Sequence, residues 1–503
     1  MTLRRLRWWG LAGSVLVASG SWLAGATPGP APAGRSEALW GTDAGFRVGL
    51  VAALVGLAVL SGVWWRLVTG APRPSRRWLL TTGLVWLLPV LLAAPLGSRD
   101  LYAYACQGAV WLDGHDPYTT GPASGGCPWL AQVPALWQDA TAPYGPVGLV
   151  VSAAAVAVAR LVASGEGATL LVALAGLRLM AVVGVGLVVV GLPRLARGCG
   201  VPETGALGLG VVTPLVAVHA IAGGHHDALI AGLLVAGLAL AAVPPAGWPI
   251  RALVGAGVLL GLAVAVKVTA VVAAPFGLLL AARRGWGAVL GWGAGLVGAV
   301  LGAHLVTGLG PGWVAALSGT GALVQWSSLP SAVGMTAGYL LRAVGLSTLE
   351  PAAITAARGL GLLGFAVLAV VMFVRAVRRR TETAAVVRAA GVVLAAVVLL
   401  GPVVYPWYAL APLAVLAAGL PAPGVRRWLA VVTVGATWLT LPSGLGVPSL
   451  LKFPGALAVT GLLSWLGWRR WRAVLGRPAV PAGSPAPTEP PSAPPGGPGG
   501  NGG

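Results

Sequence analysis

The chain has 503 residues, of which 57% are hydrophobic and only 9% charged, against roughly 25% charged residues in a soluble domain. Thirty-two Lys and Arg against 12 Asp and Glu give a net charge of +20. Uncharged runs recur that are long enough to cross a ~30 Å hydrocarbon core as helices. They exclude a soluble enzyme, a secreted disulfide scaffold and a disordered regulator, and argue against nucleic acid as the partner of the basic charge. The expected fold class is all-α, a polytopic integral membrane protein.

Residues 1–26 carry Arg4, Arg5 and Arg7 before an apolar run that ends in Ala24-Gly25-Ala26. This reads either as a cleaved signal peptide or, as preferred here, as a retained first helix. Up to sixteen apolar segments start near residues 8, 46, 78, 147, 168, 205, 227, 251, 268, 286, 331, 354, 384, 407, 428 and 455. Between them lie arginine clusters at 4–7, 66–77, 283–284, 375–380, 426–427 and 469–477, which hold 19 of the 32 cations. By the positive-inside rule these face the cytoplasm. Segments 27–45, 97–146, 308–330, 403–406 and 443–454 then face outward. Strict alternation would place Arg194, Arg197, Arg283 and Arg284 outside. One segment in 147–192 and one in 331–352 are therefore expected not to cross, which leaves about 14 crossings (range 12–16) with both chain ends in the cytoplasm.

On this reading 1–96 holds the first three membrane helices and 97–146 is an extracytoplasmic loop. Residues 147–477 form the rest of the bundle, and 478–503 a Pro/Gly-rich cytoplasmic tail too poor in apolar side chains to fold. Four of the six aspartates, Asp100, Asp113, Asp116 and Asp139, fall in the 97–146 loop among Tyr, Trp and Gln. A solvated loop is one reading. Aromatic platforms beside hydrogen-bonding groups also suit a sugar, and loops on a rigid scaffold commonly carry function. Asp100 follows the third span closely. A carboxylate at the membrane edge can accept a proton from a substrate hydroxyl while a lipid-linked group enters from the bilayer. The plainer alternative is an interfacial Asp paired with Arg99.

The run from Arg99-Asp100 through Tyr102, Tyr104 and Gln107-Gly108, then Asp116-Pro117-Tyr118, then Ala142-Pro143-Tyr144-Gly145-Pro146, resembles a known first outer loop. That loop belongs to the actinobacterial polyprenol-phosphate-mannose-dependent α-(1→6)-mannosyltransferases, members of the C-type glycosyltransferase superfamily. The resemblance extends to Gly224-His225-His226-Asp227, Lys267 and Tyr405-Pro406-Trp407-Tyr408, and covers roughly residues 75–460. It implies a polyprenyl-phosphate-mannose donor, a mannan or lipoglycan acceptor, and a multi-pass protein of the plasma membrane with its site on the extracytoplasmic side. Asp100 matches the position of the catalytic base in an inverting transfer. Arg99, Lys267, His225 and His226 would hold the donor phosphate. Tyr102, Tyr104, Gln107, Asp116, Tyr118, Tyr144, Asp227, Tyr405, Trp407 and Tyr408 would hold donor or acceptor sugars. Polyprenyl phosphate is already a good leaving group, in keeping with a chain that has no Gly-rich phosphate loop and no nucleotide-binding domain. No cofactor is expected.

Taken alone, several of these residues have plainer readings. Lys267 in an apolar run costs roughly 2.5–3.5 kcal/mol at a bilayer centre, so it needs an anionic partner or must snorkel to the interface. His225, His226 and Asp227 are contiguous, and adjacent helical residues do not share a face; no metal site is expected from them. Asp227 is the second choice for an acid/base role, and His219 and His304 are read as structural. Arg178 pairs with Asp227 or Glu166, or marks the segment that does not cross. Arg342 and Arg358 suit an interfacial helix. Tyr405, Trp407 and Tyr408 read equally as an interfacial aromatic belt. Trp111, Trp129 and Trp137 are candidate acceptor platforms. Cys106 and Cys127 can pair as a disulfide, which leaves Cys199 as a free thiol. The rival functions are a transporter or flippase of lipid-linked sugars, whose polar groups would spread along a midplane pathway, and a same-superfamily transferase for another sugar.

Overall fold

The computed structural model of the protein describes residues 1–475 except Thr42, 71–73, Trp248, 318–322 and 421–422. The tail 478–503, expected to be disordered, lies outside the described residues, as do Arg73 and Arg477. The chain folds into helices α1 (Leu3–Ala24), α2 (Ala44–Thr69), α3 (Arg76–Leu91), α4 (Asp100–Leu112), α5 (Pro146–Val162), α6 (Glu166–Gly198), α7 (Glu203–Gly210), α8 (His226–Ala242) and α9 (Pro249–Val266). There follow α10 (Ala274–Ala282), α11 (Trp286–Thr307), α12 (Leu329–Ala343), α13 (Glu350–Arg378), α14 (Thr383–Leu400), α15 (Leu410–Gly419), α16 (Pro423–Thr437) and α17 (Lys452–Leu475), with shorter helical turns left unlabelled. β-Pairing among the described residues is limited to an isolated bridge between Thr440 and Gly446. Each of the sixteen apolar segments coincides with one of these helices, two of them with a 3₁₀ turn in front. α4, inside the polar loop, is additional.

Helix starts follow the polar residues that precede them. Thr2, Asp43, Ser75 and Ser328 accept the exposed backbone N–H groups of α1, α2, α3 and α12, as short polar caps do. α1 and α2 pack backbone to backbone. A Cβ on Gly13 would sit 2.9 Å from the Gly56 carbonyl oxygen, and one on Gly20 2.5 Å from that of Gly49. Small residues that let helices approach this closely are a common device inside membranes.

Among the described residues, six helices are long and apolar enough to span a bilayer: α2, α6, α9, α11, α13 with its leading turn, and α14. The π-helical turn Val216–Ala222 meets α8 at a 108° bend, and the two together have the length and apolarity of a seventh span or of a re-entrant loop. α5, Val268–Ala282 and Pro406–Gly419 are apolar but shorter. The protein is therefore a multi-pass membrane protein.

The basic loops gather at one end of the bundle. There Arg7 donates to Thr82, Arg76 and Arg197 pair with Glu203, Arg283 donates to Thr383, and Arg284 caps the carbonyls of Ala241 and Ala242. The opposite end joins the other set of loops. Ala26 N–H donates to Pro95, Gly97 N–H to Pro442, Ser443 to Ala38, and Ser327 to Val404. Arg358 does not sit on an interfacial helix. It belongs to the spanning helix α13 and donates to Ser331 and to the Leu323 and Pro402 carbonyls, tying the upper end of that helix to this second set of loops.

Candidate active site

Three interruptions in membrane helices meet the N-terminus of α4. At the first, Gly224 adopts φ +61°, where a Cβ would be strained and would also meet the Leu101 side chain at 2.7 Å. The chain turns there into His225, and α8 starts at His226. At the second, α9 stops at Lys267, whose extended backbone (φ −154°) leads into the 3₁₀ turn Val268–Ala273. At the third, Tyr405 is extended before the turn Pro406–Ala409. Each break frees side chains that a continuous apolar helix would hold against lipid. Irregular backbone at such depth is tolerated where it lines a protein cavity.

Asp100 is the first residue of α4, with its N–H donated to Ser98 Oγ at 2.9 Å. His225 Nδ1 lies 3.7 Å from Asp100 Oδ2 and 3.3 Å from the Tyr104 hydroxyl, which in turn meets the Tyr144 hydroxyl at 3.0 Å. The His225 ring stacks on Trp407 at 3.7 Å between centroids, and Trp407 stacks on Tyr405 at 4.7 Å. His226 packs on Tyr104 and Tyr144, with Nε2 3.4 Å from Ser152 Oγ of α5. Lys267 Nζ donates to Asp227 Oδ1 at 3.1 Å and lies 3.7 Å from the centre of the Tyr408 ring, where the ring face attracts a cation. The partner that the buried Lys267 needs is thus Asp227. In the loop, outside the spanning helices, burial pushes the Asp100 carboxyl up to about 6. Ser98 and Lys267 oppose that rise, and the charge on Asp227 adds to it.

Several of these groups border a cavity of about 630 Å³. Its polar part is lined by Asp100, Tyr104, Gln107, Tyr144, Asp227 and Lys267, with Tyr405 and Tyr408 beside them. Its other arm is apolar and runs between α8, α13, α14 and α15, past Ile230, Leu234, Leu362, Phe365, Leu394 and Val397. With Trp137, nine of the site candidates read from the sequence therefore share one cavity. Trp137, Asp139, Thr141 and Thr269 also line it. Trp137 is the platform candidate of the sequence and Asp139 one of its four loop aspartates; Thr141 and Thr269 carry no separate signal there.

The remaining expected site residues sit elsewhere. Arg99 turns away from the cavity: it is buried, donates to the Gly29 and Gln132 carbonyls, and packs over the Tyr102 ring. The Tyr102 hydroxyl donates to the Ala26 carbonyl. Asp116 accepts the Tyr118 N–H in a tight loop turn, and Tyr118 is buried with Leu149, Leu309 and Trp313. His225, His226 and Trp407 stand one layer behind the cavity wall. Trp129 is buried and donates to the Glu166 carbonyl. Arg178 pairs with neither Asp227 nor Glu166. It donates to the carbonyls of Leu91, Ala93 and Ala222, which sews the end of α3 to the π-helical turn. Cys106 and Cys127 form a disulfide that ties α4 to its own loop, and Cys199 is buried as a free thiol.

Comparison with known proteins gives this arrangement a lineage. Residues 7–283 match the family described as alpha-(1->6)-mannopyranosyltransferase, N-terminal domain, and residues 330–469 match the MptB C-terminal domain. A probable alpha-(1->6)-mannopyranosyltransferase of Mycolicibacterium smegmatis is 32% identical over 97% of this chain and 93% of its own length. Two alpha-(1->6)-mannopyranosyltransferases of Mycobacterium tuberculosis are 31% identical over 86% of this chain and 82% of theirs, and 33% identical over 76% and 71%. No solved structure matches. The chain belongs to the alpha-(1->6)-mannopyranosyltransferase family of mannosyltransferases.

Proposed function

We propose that the protein transfers mannose from a polyprenyl-phosphate-mannose donor to a mannan or lipoglycan acceptor, forming an α-(1→6) linkage with inversion, on the outer side of the plasma membrane. The observation that carries this reading is the two-part cavity. One part holds Asp100, Lys267 and Asp227, and the other is an apolar arm between membrane helices. A lipid-linked sugar phosphate has the same two-part chemistry, with an anionic head and a hydrocarbon tail. The positive-inside rule supports the orientation, because it sends the arginine-rich end to the cytoplasm and the Asp100 end outward.

In this mechanism the polyprenyl chain lies in the apolar arm and its phosphate meets Lys267 Nζ. Asp227 holds the ammonium extended, and the Tyr408 ring covers it. The acceptor hydroxyl gives its proton to the Asp100 carboxylate, and its oxygen attacks the anomeric carbon. The bond from that carbon to the phosphate oxygen breaks, and its electron pair leaves with polyprenyl phosphate. Lys267, fixed before the reaction, stabilises the charge that develops there. His225, stacked on Trp407, buttresses Asp100 from behind. Arg99 has no part in this scheme, because its guanidinium is engaged with backbone carbonyls away from the cavity.

Asp100→Asn keeps the shape of the side chain and removes the base. Transfer from the lipid donor should fall by about 10²- to 10⁴-fold at unchanged protein level. A rate near that of the unsubstituted protein would remove Asp100 from the mechanism.

A further inference from the structure

α4 shows the cavity a single stripe. Asp100, Ala103, Tyr104 and Gln107 line it, at the spacing that places helical residues on one face. The other faces of α4 are fixed to protein. Tyr102 bonds the Ala26 carbonyl, Cys106 is joined to Cys127, and a Cβ on Gly108 would lie 2.6 Å from the Ser152 backbone of α5. The helix cannot roll, so Asp100 and Gln107 stand at a set separation of about 10 Å along its axis.

Gln107 is buried, lines the cavity, and has no hydrogen-bond partner for Oε1. A buried amide oxygen left in this state calls for a donor from whatever fills the space. Trp137 and Asp139 line the same cavity, Trp137 with its side chain hydrogen-bonded to Asp100. Their segment is held in place by Gln138, whose carbonyl accepts the Ala123 N–H and whose Nε2 donates to the carbonyls of Leu130 and Val133. An amide oxygen and a carboxylate lining one cavity suit a neutral sugar ring, which offers hydroxyl donors to both.

Resting on the transferase reading with Asp100 as base, we propose that Gln107, with Asp139, forms a subsite for the acceptor sugar behind the one being glycosylated. A single pyranose ring with its hydroxyl at Asp100 does not reach Gln107, whereas the next ring of an oligosaccharide does. The protein thus reads acceptor length and favours a chain already begun over a lone mannoside.

The test is transfer by the full chain in detergent to a monomannoside and a trimannoside acceptor bearing the same aglycone. The unsubstituted protein should favour the trimannoside in kcat/KM. Gln107→Ala and, separately, Asp139→Ala should each reduce that preference about five- to tenfold, through KM for the longer acceptor. A protein with no length preference, a preference that neither variant changes, or equal losses on both acceptors would overturn the subsite and leave the transferase reading intact. Absence of transfer by the unsubstituted protein to either acceptor would overturn both.

Discussion

Two ion pairs of nearly equal length sit at opposite ends of this bundle. Arg379 and Glu382 meet at 2.7 Å among the basic loops, with side chains 58% and 50% exposed. Lys267 and Asp227 meet at 3.1 Å beside the cavity, each side chain only 9% exposed. Distance does not separate them, but burial does. The exposed pair gains little, because water and salt screen it. The buried pair has given up its hydration, so either partner left alone carries an uncompensated charge. Many arginines thus gather at one end in exposed, screened pairs, and few charges at the other are buried against the cavity.

The contrast can be broken by removing one partner at each end. Lys267→Met should cost about 3–5 kcal/mol in denaturant unfolding. Adding Asp227→Asn should recover most of that loss without recovering transfer; if the double variant is no more stable than the single, the pair is not the reason for the cost. Arg178→Leu comes next. Its guanidinium satisfies the Leu91, Ala93 and Ala222 carbonyls, and each charged bond of this kind is worth about 1.5–3 kcal/mol. The expected fall in stability is of that order, with Arg178→Lys recovering only part of it.

A pH profile tests the site itself. Burial raises the Asp100 carboxyl to about 6, so the base is protonated and idle below that pH and ionised above it. Transfer should rise about tenfold between pH 5 and 7, and Asp100→Asn should abolish that rise. The smallest effect belongs to the basic end: Arg379→Ala should change stability by less than about 1 kcal/mol, read from the thermal midpoint in detergent.

Much of this was legible in the sequence because apolar length and arginine clustering are strong signals. All sixteen apolar segments are helices, and the acid-rich loop supplies Asp100, Tyr104, Gln107 and Tyr144 to the cavity. What escaped has physical causes. Arg99 and Tyr102 flank Asp100 in the motif, but successive helical residues point about 100° apart. Neighbours of a cavity residue therefore face away from it, whereas Gln107, seven positions on, shares its face. Arg178 was matched to acids because side chains advertise charge, while its true partners are carbonyls that every residue possesses. The apolar arm was invisible for a related reason: Leu362 and Phe365 look the same whether they face lipid or a cavity. α4 was missed as a helix because its stripe lies in a segment whose polarity reads as loop.

The guanidinium of Arg178 also bears on how the protein is made. Its partners at Leu91 and Ala93 are synthesised well before it, and Ala222 well after. Asp100 leaves the ribosome early, but the residues that face it come from positions 225, 267 and 405. On the proposed mechanism the base is translated in the first fifth of the chain and the cavity closes only in the last fifth, so the protein cannot act while it is being built. A nascent or truncated chain that ends before Tyr405 holds the Asp100 carboxylate without part of the wall that encloses it.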